Sequence, residues 1–123
     1  MTWLNWLKEL VELPFSIPQK RRMRERGGYT KADFVRHFGR DGAVAGVVWD
    51  CLAGEAVVEN FKPHPEDDLS TVFGLADEDL DDVVLRALHE AGCRVPSPAE
   101  TATMPPVRTV ADMVGFLADM RLG

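Results

Sequence analysis

Apolar side chains recur along this chain at the spacing of one helical face, and proline or glycine interrupts each run before the next begins. The clearest run is Leu80, Val83, Val84, Ala87, Leu88 and Ala91, with Gly92 behind it. Steps of three, one, three, one and three residues put all six side chains on one side of an α-helix. A strand would need alternation, which is absent here. Asp77 stands where a cap belongs. Glu78, Asp79, Asp81 and Asp82 crowd the first turn, where the positive end of the helix dipole favours anions. A chain built of such runs forms its core by packing helix on helix, so the expected fold class is all-α.

The other runs follow the same rule. Residues 2–13 predict an amphipathic helix, with Trp3, Trp6, Leu7, Leu10 and Leu13 at helical spacing and Leu4 and Val11 widening the stripe. Pro14 ends it, and residues 15–18 read as extended because residues before proline avoid the α region. The basic stretch 19–26 reads as either a helix or a solvated linker. Thr30 with Asp33 makes a capping box for a short helix that Gly39 stops. Asp41 can cap the next helix, whose stripe is Val44, Val47, Val48, Cys51 and Leu52, with Gly54 marking its end. Residues 56–76 form a long connection carrying Phe61, Leu69, Val72 and Phe73, which implies that it is pinned to a core. Pro96, Pro98 and Pro105-Pro106 bracket a short element near 97–103, and Thr109 with Asp112 caps a last helix.

At 123 residues the chain fits one domain, and 46% hydrophobic content excludes a disordered one. No apolar run approaches the ~18 residues of a membrane span. The N-terminus lacks the order of a secretory signal, so a cytoplasmic location is the expectation. Cys51 and Cys93 read as buried free thiols. The net charge of −6 conceals a division. Residues 1–40 hold nine Lys/Arg against four Asp/Glu, and the remainder holds five against sixteen. A head at +5 is thus joined to a body at −11.

From Asp41 to Leu122 the predicted order is helix, long connection, helix, short helix, helix. Asp79-Leu80-Asp81, Val95-Pro96 and Thr109-Val110-Ala111-Asp112 follow one another within it. In this order and these motifs the segment resembles an acyl carrier protein. The resemblance implies an acyl-carrier-like four-helix bundle over 41–123, extended by an amphipathic helix and basic linker or helix over 1–40. In that family the second helix opens with Asp-Ser-Leu, and the serine carries a phosphopantetheine arm. The matching triplet here is Glu78-Asp79-Leu80. Attachment needs a hydroxyl nucleophile, which the Asp79 carboxylate does not supply. No cofactor is therefore expected. Ser70, after Asp68-Leu69, is the alternative attachment point, but Thr71 follows it where the family has leucine.

The remaining constellations do not assemble a catalytic or metal site. The acidic run 77–82 has no internal glycine and carries Leu80 in its middle, unlike a calcium loop. His89 and Cys93 are four apart with no further pair, and His37 and His64 have no nucleophile nearby. The leading expectation is a non-enzymatic domain on the carrier scaffold that binds another protein. The partner-binding candidates are Glu78, Asp79, Asp81 and Asp82 on the acidic side and Arg21, Arg22 and Arg24 on the basic side. The alternatives are a genuine carrier loaded at Ser70 and a peripheral membrane adaptor working through residues 1–26. The N-terminal stripe, net negative through Lys8, Glu9 and Glu12, favours docking or homodimerisation over a membrane surface. Nucleic acid is disfavoured by the −11 body.

Overall fold

The computed structural model describes residues 17–122, and among them the regular structure is helical, with one isolated bridge between Asp68 and Thr109. The helix predicted over 2–13, with Trp3 and Trp6, lies outside the described residues. Helix α1 covers residues 17–25 of those described. Then follow α2 (Lys31–His37), a 3-10 turn (Gly39–Asp41), α3 (Gly42–Glu55), α4 (Asp77–Glu90), α5 (Pro98–Thr103) and α6 (Val110–Asp119).

The basic stretch is therefore helical. Ile17 and Pro18, expected to be extended, already belong to it. Proline is tolerated in a first helical turn because the N–H it lacks has no partner there. Helix α4 begins one residue earlier than expected. Its N-cap is Ala76, whose carbonyl accepts from Leu80 N at 2.8 Å, and Asp77 is the first helical residue. No side chain caps this end, and the acids of the first turn meet the helix dipole instead. Asp41 also makes no side-chain cap for α3; its carboxylate accepts from Arg121 Nη2 at 2.7 Å.

Helix α3 is the centre. It packs against α2, α4 and α6, and buries Val44, Ala45, Val48, Cys51 and Leu52. Its apolar residues surround much of its circumference, which suits a helix enclosed by neighbours. That burial holds a run whose β-branched residues are mediocre helix formers. Gly42 lets α2 and α3 approach closely: a Cβ there would stand 2.9 Å from Val35 Cγ1. Phe34 of α2 is fully buried in the same core as Leu88 of α4 and Met113 and Leu117 of α6. Each such side chain contributes roughly 1.5–3 kcal/mol relative to exposure.

The 56–76 connection is a structural layer in its own right. It buries Phe61, Leu69, Val72, Phe73 and Leu75, and the rings of Phe61 and Phe73 meet edge to face at 5.4 Å. It also completes the start of α6. Val110 N donates to Asp67 O at 3.0 Å and Ala111 N to Pro65 O at 2.9 Å, while Asp112 N donates to Thr109 Oγ1 at 3.1 Å. These are the first three N–H groups of the helix, which have no partner inside it.

Helix α1 clasps the other side of this connection. Gln19 is fully buried; its Nε2 donates to Val72 O at 2.8 Å and its Oε1 accepts from Val58 N at 3.0 Å. The Arg26 guanidinium forks onto Asp67 at 2.8 and 2.5 Å, donates to Lys62 O at 2.8 Å, and lies 5.6 Å from the centre of the Phe61 ring. Lys62 Nζ returns the contact to the carbonyls of Arg26 and Gly27.

Candidate functional site

The acidic start of α4 faces solvent. Glu78, Asp79, Asp81 and Asp82 are all exposed, and none is ion-paired among the described residues. Asp79 is the third helical residue, on an exposed first turn. The inward face of α4 is the expected one, but it is not uniformly buried. Val83, Ala87 and Leu88 are buried, whereas Leu80 and Val84 are half-buried and pack on the edge of the core.

The half-buried side chains border an open apolar groove beside the acids. Leu80, Val84 and Leu85 of α4, Met104 and Val107 after α5, and Phe116 of α6 line it. Asp81 stands on the lining as well, and the groove measures about 510 Å³. Leu85 is 48% exposed and Val95 61%, so two large apolar side chains of its lining stand in water. Sequence periodicity missed the groove because Leu80 and Val84 carry the same signal whether they face a core or a cleft. The signals that could have found it were Leu85 and Val95, apolar residues off every stripe.

Helix α5 flanks the groove without burying a single side chain. Its first turn is held by a capping box between Ser97 and Glu100, and by Arg94, whose guanidinium forks onto Glu100 at 3.0 and 2.9 Å. The Arg94 hydrogen bonds, followed by those from Ser97, hold the Glu100 carboxyl down at about 2. Arg94 N also donates to Met120 O at 2.9 Å, which ties the preceding segment to the end of α6.

Ser70 lies elsewhere, in the turn after Asp68. Asp68 Oδ1 accepts from Ser70 N at 2.9 Å and from Thr71 N at 2.8 Å. The serine is exposed, but in an Asx turn and not on a helix. Arg21 and Arg24 of α1 are exposed and Arg22 is half-buried; none pairs with an acid among the described residues. Within the basic stretch 19–26 the arginine that pairs among the described residues is Arg26, and its partner is Asp67 in the connection and not the α4 acids. Neither Arg26 nor Asp67 was distinguishable from its charged neighbours in sequence.

The thiols are buried and half-buried and neither is in a disulfide. Cys51 Sγ donates to Glu90 Oε2 at 3.3 Å. Burial, then the hydrogen bond and charge of Glu90, push the Cys51 thiol up to about 11 against the opposing effect of Arg86. Such a thiol is protonated near neutrality and is a poor nucleophile. Among the described residues no three His, Cys, Asp or Glu side chains gather as metal ligands. No helix among them is long and apolar enough to cross a membrane.

Comparisons with protein families, with curated proteins and with solved structures find no match to this chain.

Proposed function

We propose that this chain is a non-catalytic protein-interaction domain, built on an acyl-carrier-like helical scaffold that lacks the phosphopantetheine serine. The observation that carries the reading is the pairing of an open apolar groove with four exposed carboxylates on the same helix. Apolar surface of this kind gives a partner something to bury, and the carboxylates give it an orientation. The helix order from α3 to α6 supports the carrier-like scaffold. The carboxylate at Asp79, exposed on the first turn of α4, supports a domain that holds no prosthetic arm.

The test is intact mass after incubation with a promiscuous phosphopantetheinyl transferase and coenzyme A. The mass is expected to stay unchanged. Gain of one phosphopantetheine, mapped to Ser70, overturns the reading and makes the chain a carrier. Asp79→Ser is the companion variant, expected to bring a hydroxyl to an exposed helix start.

A further inference from the structure

We infer that the groove between α4 and α5 is the docking site for the N-terminal head of a second copy of this chain. The inference rests on the reading of that groove as the interaction surface, and names its occupant.

Three observations meet here. The first is the groove itself, with Leu85 and Val95 exposed on its lining and Asp79, Asp81 and Asp82 on the helix that contributes to it. The second is the composition of the head. Residues 3–13 carry seven large apolar side chains, more apolar surface than a soluble monomer ordinarily leaves in water. The third is the exposed basic surface of α1, which follows directly in the chain. Lys20, Arg21 and Arg24 are exposed, and none is neutralised by a described acid.

Apolar demand and apolar supply are thus each flanked by charge, and the charges are opposite. A groove with Asp81 on its lining and further exposed acids on the same helix repels the α4 of a second copy and attracts its α1. Within one molecule, α1 and the Arg26 that follows it are held to the 56–76 connection, and among the described residues none of the α1 cations pairs with an α4 acid. Cations on α1 and acids on α4 are thus left to meet between copies. Reciprocal exchange of heads closes this contact into a dimer.

The experiment measures the molar mass of the full chain by light scattering at low and high salt. The expected result is about twice the monomer mass at low salt, falling toward the monomer as salt screens the charges. Two variants reverse one side each: Lys20→Glu with Arg21→Glu and Arg24→Glu, and Asp79→Lys with Asp81→Lys and Asp82→Lys. Each alone is expected to be monomeric, and an equimolar mixture is expected to reassociate, because each reversed head then meets a reversed groove. Circular dichroism checks that both fold. Should the α4 variant fail to fold, Leu85→Arg replaces it, and loss of the dimer supports the inference. A native chain that stays monomeric at low salt, or association unchanged in the variants, overturns it. The phosphopantetheine mass measurement is independent, so the interaction-domain reading stands or falls separately.

Discussion

Asp67 uses both carboxylate oxygens and its carbonyl. Oδ2 accepts from Arg26 Nη1 at 2.8 Å and from His64 N at 3.0 Å, Oδ1 accepts from Arg26 Nη2, and the carbonyl accepts from Val110 N. The Asp67 side chain is almost wholly buried and the Arg26 side chain nearly so. Removing one member of such a pair strands the other in a poorly solvated site. Asp67→Ala is expected to lower unfolding free energy by about 3 kcal/mol, measured by urea titration. The double variant with Arg26→Ala should lose less than the two single losses added, because the stranded charge disappears with its partner. By contrast, the exposed pair Lys31–Asp50 is worth at most about 1 kcal/mol. Sequence alone could not rank these acids. Arg26 and Asp67 are 41 positions apart, and nothing local distinguishes Arg26 from Arg24 or Asp67 from Asp68.

At the scale of elements, helix stops and capping boxes were legible because their chemistry is local. Thr30 with Asp33 and Thr109 with Asp112 form the boxes that their spacing predicts. Gly92, at a φ of 69°, lets α4 close with Cys93 N on Leu88 O and Gly92 N on His89 O. Which members of the α4 stripe are only half-buried was not legible, since Leu80 and Val84 carry the same periodic signal as Val83 and Leu88. The fully buried member of that stripe gives a sharp test. Leu88→Ala should cost roughly 2–5 kcal/mol, as large-to-small changes in packed interiors do. His89→Ala, on the exposed side, should cost far less. Equal losses would mean that the inward face is misassigned. Helix α5 carries a pH dependence of its own. Its Glu100 carboxyl lies at about 2, against an ordinary 4.5, so the ionised form is favoured by the folded helix. A folded-state value below the unfolded one means that this contribution is complete above about 4.5 and vanishes as pH falls toward about 2. Amide shifts of Ser97 and Glu100 should report loosening of the α5 start across that window, and Glu100→Gln should abolish the transition. A start that stays intact below pH 2 would refute the Glu100 latch.

The molecule as a whole is organised around its 56–76 connection. The sequence showed that this segment must be pinned, through its scattered Phe, Leu and Val residues. It did not show by what, because hydrogen bonds such as Gln19 to Val72 and Val110 to Asp67 join distant positions without leaving a pattern in either segment. A chain beginning at Thr30 loses α1 and with it the partners of Val58 N, Val72 O and Asp67. It is expected to melt at a lower temperature than the full chain. An unchanged melting temperature would show that α1 is a detachable appendage.

One consequence follows from Asp67 serving α1 with its side chain and α6 with its backbone. Protection of the Val110 and Ala111 amides against exchange with solvent depends on the connection staying seated, and the connection is seated by α1. Fluctuations that lift α1 therefore also expose the first turn of α6, although the two helices lie at opposite ends of the chain. The two are expected to open as one unit, with the Val110 and Ala111 amides exchanging faster when α1 is removed.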